Sequence, residues 1–281
     1  MNGPLVLKLG GELIETAAAR DAFAAMVAEL RATRPVAIVH GGGRAIDAEL
    51  DRRGIAPKKV DGLRITDAPT RDTVVAVLAG SANTDLVAAL VNAAVPAVGL
   101  TGVDAAMAES QKAPALRSTS GADVDLGLVG DPEEVDPALI ELLMTSGYVP
   151  VVASLGIERG NHGAGILNVN ADVMACRLAA SLGAELVIAG TTAGVLDAQG
   201  ALIPALTTVE MDALIADGTA TAGMIAKLRA CRMALDEGVP AVRLVDGRGF
   251  SAGVDPCDAP GTTLTQTTRT ATTDTKVAVN S

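Results

Sequence analysis

Short apolar runs punctuate this 281-residue chain, and helix-patterned segments fill the intervals between them. Leu5-Val6-Leu7-Lys8-Leu9 is the first run and Val36-Ala37-Ile38-Val39-His40 the second; Pro96–Leu100, Tyr148–Ala153, Glu185–Ala189 and Ala241–Val245 follow. Between the first two, Phe23, Met26, Val27 and Leu30 recur at i, i+3, i+4 and i+7, which is one face of an amphipathic helix. Helices are also predicted over Pro137–Met144, Ala171–Leu182, Val209–Ile215 and Met224–Leu235, and from Thr70 to Ala94 with a break at Gly80. Apolar strands alternating with helices predict an α/β fold: a three-layer α/β/α sandwich around a mainly parallel open sheet.

The stretch from Ser110 to Gly130 departs from that rhythm. Its short alternating segments with glycine predict hairpins at one edge of the sheet. A second α/β half is expected to begin near Gly165. The chain then divides into a lobe over 1–164, a lobe over 165–264 and a loosely held threonine-rich tail over 265–281.

Composition narrows the function. Hydrophobic residues make up 49% of the chain, enough for a real core, yet Phe23, Phe250 and Tyr148 are the whole aromatic set. A bound base would therefore rest on aliphatic walls and backbone. The net charge of −11, without clustered cations, argues against a nucleic-acid partner. Cys176, Cys231 and Cys257 show no CxxC spacing, and only His40 and His162 could assist them, so no zinc site is expected. Two of the cysteines are expected to be buried as small hydrophobes and one to lie in a loop. Only Met1–Pro4 precede the first apolar run, and no run reaches the roughly eighteen residues of a membrane span. A cytoplasmic chain is expected.

Several nucleotide and hydrolase signatures are absent. There is no Gly-Lys dipeptide and so no Walker A loop, no GxGxxG after a strand, and no HExxH. The GxSxG match at Gly249–Gly253 is followed by Asp255-Pro256 where a nucleophile elbow needs a helix. Glycine turns do stand at the ends of the first two strands, in Lys8-Leu9-Gly10-Gly11 and His40-Gly41-Gly42-Gly43. Such turns let backbone N–H groups approach an anion at a helix N-terminus, though a plain tight turn has the same pattern. Lys8 lies within an apolar strand, where it either snorkels to the strand end or aims a cation at phosphate. In Asn168-Val169-Asn170-Ala171-Asp172, the two asparagines can bind a ligand, or Asn170 can cap the next helix. Gly223-Met224-Ile225-Ala226-Lys227 sets a lysine near a helix start, against the helix dipole; a surface lysine would read the same.

Taken in order, Lys8–Glu12, His40–Gly43, Gly62–Asp67, Val124–Gly127, Asn168–Asp172 and Gly223–Lys227 resemble the amino-acid kinase family, and within it the acetylglutamate kinases, from about Pro4 to Leu264. The resemblance implies ATP-dependent phosphorylation of the side-chain carboxylate of N-acetyl-L-glutamate in arginine biosynthesis. It implies an N-terminal lobe that binds the acyl-amino acid and makes a homodimer, and a C-terminal lobe that binds the nucleotide. Lys8 and Lys227 would stabilise the transferring phosphoryl group, and Asp172 would orient them. Gly10, Gly11, Gly42 and Gly43 would line the phosphates. Arg64 and Asn168, with Gly42 and Gly43, would hold the substrate. Thr191, Gly194 and Met224 would meet the nucleotide, whose phosphates would carry Mg²⁺.

The chemistry is consistent with those residue types. A side-chain carboxylate, with a pKa of about 4.3, is already ionised at neutral pH and needs no base. Catalysis then rests on positioning and on cations around the γ-phosphoryl group. Arginine offers a planar fork for a carboxylate. Two positions depart from the family pattern: Thr191 stands where an acidic residue is usual in the nucleotide loop, and Ala226 where proline is frequent. Two alternatives remain, a kinase for another acyl-amino acid such as carrier-bound aminoadipate, and a non-catalytic metabolite or nucleotide sensor. Arginine-inhibited members of the family carry a helix ahead of the first strand. The four residues here are too few for one, so a homodimer insensitive to arginine is expected.

Overall fold

The computed structural model describes residues 3–118, 121–160, 165–220 and 222–267. β1 (Leu5–Leu9) leads through a 3-10 turn at Gly11–Leu13 to α1 (Ala17–Leu30), whose N-terminus Thr16 caps by accepting from the Ala19 amide. β2 (Val36–His40) and α2 (Gly43–Arg52) precede a small hairpin of β3 (Lys59–Val60) and β4 (Leu63–Arg64). α3 (Ala68–Val75), capped by Asp67, continues through a π-helical segment at Ala76–Ala82 into α4 (Asn83–Asn92) and then β5 (Ala97–Thr101). Next come β6 (Glu109–Lys112), β7 (Leu116–Arg117), β8 (Asp123–Val124), β9 (Val129–Pro132), α5 (Ala138–Thr145) and β10 (Val149–Ala153). β11 (Leu155–Glu158), β12 (Ile166–Val169), α6 (Ala171–Leu182) and β13 (Glu185–Gly190) follow. β14 (Ala205–Thr207), α7 (Thr208–Ala216), α8 (Ala222–Asp236), β15 (Val242–Asp246) and β16 (Gly261–Thr265) complete the fold.

The main sheet runs β14-β16-β15-β13-β1-β2-β10-β5 and is parallel except where β16 opposes β15. β1 is central: Leu7 pairs with Val187 of β13 on one side and Ile38 of β2 on the other. Alternation along β1 divides the core. Leu5, Leu7 and Leu9 pack with Phe23 and Val27 of α1 and Leu86 of α4, while Val6 packs with Leu178 of α6 and Leu228 of α8. Lys8 follows Val6 by two residues, so the strand period directs it to the α6–α8 face.

Two expectations change in detail. The break at Gly80 is a π-helical widening inside a continuous 25-residue helix, not an interruption. By length and composition that helix could cross a membrane, but it carries Arg71, Asp72 and Asp85, and its Leu86 and Leu90 are fully buried in the core. The Ser110–Gly130 stretch does not form hairpins on the main sheet's edge. β6 and β9 instead join β11 and β12 in a separate closed barrel, and only β7 and β8 make a lone hairpin. Glycine permits the closure: a Cβ on Gly130 would lie 2.8 Å from the Leu167 Cβ.

The barrel also joins the two expected lobes, since β12 pairs with β11 and with β9. The tail expected from Thr265 begins too early: Thr265 closes β16, Gln266 donates to Asp236 at 2.6 Å, and the Thr267 hydroxyl lies 2.9 Å from that of Thr208. The remainder of the expected tail, 268–281, lies outside the described residues, as does His162. Cys176 and Cys231 are buried, and Cys257 is half-buried in the loop before β16.

Candidate active site

The carboxyl ends of β1, β2, β12 and β13 converge on one cleft of about 490 Å³. Lys8, Gly10, Gly11, Gly42, Gly43, Arg64, Asn168, Asp172, Thr191, Met224 and Lys227 all line it, so eleven of the twelve residues selected from sequence share one wall system. Gly194 is the exception. The Val195 amide donates to the Thr262 hydroxyl at 2.8 Å, and Leu196 bridges to Leu202. Those contacts draw that half of the loop back onto β16 and bury Gly194 away from the cleft.

Close approach, rather than turn conformation, explains the glycines. None of Gly10, Gly11, Gly41, Gly42 or Gly43 has a positive φ. A Cβ on Gly11, however, would stand 2.8 Å from the Gly42 Cα and 3.1 Å from the Gly43 nitrogen. The two turns thus touch through their backbones. Gly43 begins α2, and the first turn of a helix leaves its N–H groups for an outside acceptor.

Asp172 organises the charges. Asn170 caps α6 by accepting from the Asp172 and Val173 amides, which fixes Asp172 in the first turn. The capping alternative for Asn170 therefore holds, and Asn170 also faces the cleft. Lys8 approaches Asp172 Oδ1 at 2.8 Å, and Lys227 donates to Oδ2 at 2.8 Å. Burial works against the Asp172 charge, but the two ammonium groups outweigh it and hold its pKa well below the usual carboxylate range. Burial also pushes the Lys8 pKa down, and Asp172 only partly offsets this. At Lys227 burial works in the same sense, yet Asp172 prevails and the pKa rises. Lys8 is the deeper of the two, its side chain 10% exposed against 20% for Lys227, and the neighbouring Lys227 charge lowers it further. Two cations on one anion leave a net positive charge in a buried site, which an anionic ligand can neutralise.

Arg64 is buried. Its Nη2 donates to the Gly43 carbonyl at 3.1 Å, while its Nη1 has no hydrogen-bond partner among the described residues. Asn168 donates from Nδ2 to the Thr66 hydroxyl at 3.2 Å. His40 lies beneath the glycine turn with Nδ1 3.2 Å from the Gly41 carbonyl, and burial pushes its pKa down to about 4. Sequence reasoning assigned no role to Glu12, Lys59 or Ser154, which also line the cleft. Glu12 ends the Lys8–Glu12 motif and Lys59 stands just before Gly62–Asp67, so both were findable as charges there. Ser154, a lone serine between β10 and β11, carried no signal.

A model described as the amino acid kinase family matches residues 3–246. The chain is 42% identical over 245 residues to the acetylglutamate kinase of Solibacter usitatus, covering 86% of this chain and 91% of that one. It is 44% identical over 250 residues to the acetylglutamate kinase of Frankia casuarinae, covering 87% and 67%. In structure it resembles the N-acetylglutamate synthase of Neisseria gonorrhoeae in complex with coenzyme A and N-acetyl-glutamate, with a TM-score of 0.77 at 22% identity over 95% of this chain and 60% of that one. It also resembles the carbamate kinase of Giardia lamblia bound to AMP-PNP, with a TM-score of 0.68 at 16% identity over 94% and 98%. These structural likenesses establish the fold, and the sequence relatives the branch. The chain therefore belongs to the amino acid kinase family, in its acetylglutamate kinase branch.

Proposed function

We propose that this protein transfers the γ-phosphoryl group of ATP to the side-chain carboxylate of N-acetyl-L-glutamate, a step of arginine biosynthesis. The observation that carries the reading is the Lys8–Asp172–Lys227 arrangement beside the paired glycine turns. The substrate carboxylate attacks the γ-phosphorus as its bond to the bridging oxygen breaks, giving an acyl phosphate and ADP. The carboxylate arrives ionised, so no side chain needs to take a proton.

The chain's part is to place charge. Lys8 and Lys227 face the cleft from opposite sides of Asp172, which keeps both protonated groups directed at one region. Gly11 and the first turn of α2 offer backbone donors to equatorial phosphoryl oxygens. Arg64 presents its unpartnered Nη1 to a substrate carboxylate, beside the Asn168 amide. Thr191 and Met224 lie on the nucleotide side. Mg²⁺ belongs on the nucleotide's own phosphates in this reading, because both Asp172 carboxylate oxygens are already taken by ammonium groups. The reading also includes a cytoplasmic homodimer.

Incubating the protein with ATP, Mg²⁺ and N-acetyl-L-glutamate tests the proposal. ADP release that depends on the acyl-amino acid is expected, together with a product that hydroxylamine converts to a hydroxamate. ADP release indifferent to N-acetyl-L-glutamate, or no hydroxamate, would overturn it.

A further inference from the structure

The β3–β4 hairpin is two residues long on each strand and joined by Asp61-Gly62, both at positive φ as a tight two-residue turn requires. So short a hairpin is not stable alone. Its register places Lys59 directly opposite Arg64, and like charges opposed across a strand pair repel. Asp47 of α2 resolves both problems. Its Oδ2 accepts from Lys59 Nζ at 2.6 Å, and its Oδ1 lies 2.6 Å from Arg64 Nη2. Burial works against the Asp47 charge, but its bonds to Lys59 and Arg64 prevail and lower its pKa.

Lys59 and Arg64 line the reaction cleft, whereas Asp47 stands behind them. The hairpin turn also reaches the far wall, where a Cβ on Gly62 would come within 3.6 Å of the Gly223 Cα at the start of α8. α2 itself begins at Gly43, whose carbonyl accepts the second Arg64 bond. One helix thus connects the phosphate turn to the hairpin. Asp47 and Gly43 together occupy Arg64 Nη2 and leave Nη1 for a ligand.

We propose that Asp47 is a positioning residue for the acyl-amino acid: it clamps Lys59 and Arg64 together, and so holds the hairpin and the arginine fork in place over the cleft. This rests on the proposed function, and the test separates the two. Asp47→Asn keeps the side chain's size and removes its charge. Its KM for N-acetyl-L-glutamate is expected to rise by about tenfold or more, as misplacing a substrate-orienting group does. Its KM for ATP should stay within about twofold, because the phosphate turn is untouched. Combined with Arg64→Lys, Asp47→Asn should add little, since it acts through Arg64. Trypsin should cut at Lys58, Lys59 and Arg64 faster in Asp47→Asn than in the parent protein. Equal rises in both KM values, full additivity with Arg64→Lys, or unchanged cleavage would each overturn the inference. A parent protein without N-acetyl-L-glutamate turnover would refute the function instead, and the cleavage rates would still decide whether Asp47 anchors the hairpin.

Discussion

Gly11 and Gly42 meet backbone to backbone: a Cβ added to Gly11 would lie 2.8 Å from the Gly42 Cα. Neither atom belongs to a flexible side chain, so the turns after β1 and β2 would have to spread. Gly11→Ala is therefore expected to cost about 1–3 kcal/mol, the usual range for overpacking. Gly43→Ala meets nothing within 4 Å and should stay within about 0.5 kcal/mol of the parent. Gly43→Ala should still impair turnover, because the methyl group would enter the space assigned to phosphate. Urea denaturation of the two variants checks the contrast, and equal stabilities would mean the turns are not in contact.

The charge cluster predicts an asymmetry between its members. Lys227→Ala leaves one lysine against one carboxylate, a balanced pair. Asp172→Ala leaves two buried ammonium groups facing each other without the carboxylate that both of them contact. Removing one partner from a buried pair costs about 3–5 kcal/mol, so Asp172→Ala should be the least stable of the single variants. Lys8→Ala and Lys227→Ala should instead remain folded and lose about 10²–10³-fold in kcat, the scale on which a transition-state charge donor acts. Thermal melts beside turnover numbers provide the check. Near-normal kcat in either lysine variant removes that lysine from the mechanism.

What the sequence disclosed, and what it concealed, follows from the range of the contacts. Lys8 was legible because a charge inside an apolar strand demands a partner. Asp172 and Lys227 were legible through the motifs that contain them, although their union across α6 and α8 spans 55 residues. The sheet was legible because buried parallel strands are continuous apolar runs. The barrel was not: β6 pairs with β11, which lies beyond α5 and β10, and nothing local announces that partnership. Asp47 looked like any helical carboxylate until the hairpin folded over it. Gly194 is expected at the nucleotide through the family resemblance alone, but a hydroxyl 67 residues downstream of Val195 fixes that half of the loop elsewhere.

Thr191 stands on the cleft wall beside Gly190 and Thr192, in the loop that follows β13. Arg64 and Asn168 lie on the part of the wall assigned to the acyl-amino acid. Thr191→Asp is expected to change the KM for ATP, or the preference between ATP and GTP, by about tenfold or more, the scale of one hydrogen bond to a charged group. The KM for N-acetyl-L-glutamate should remain within about twofold. Initial-rate kinetics with each substrate varied in turn would show the split. Nucleotide kinetics identical to the parent's would place the nucleotide away from this loop.

His40 connects the fold beneath the site to pH. It is fully buried at the end of β2, with Nδ1 against the Gly41 carbonyl and Nε2 without a partner among the described residues. A neutral ring is accommodated there, but a second proton would put a charge on a buried nitrogen that nothing accepts. Burial accordingly depresses the folded pKa from 6.5 to about 4. Between those values the unfolded chain binds the proton and the folded chain does not. The stability His40 contributes is therefore fully present above pH 6.5 and is lost as pH falls toward 4. From pH 7 to pH 5 the loss should be about 2 kcal/mol. His40→Asn retains a donor for the Gly41 carbonyl and does not titrate in this range. It is expected to be less stable at pH 7 through the volume it removes, yet to lose about 2 kcal/mol less than the parent between pH 7 and pH 5. Urea midpoints at the two pH values measure the difference of slopes, which a packing defect alone would leave at zero. Parallel slopes would mean that His40 already shares a proton in the folded protein.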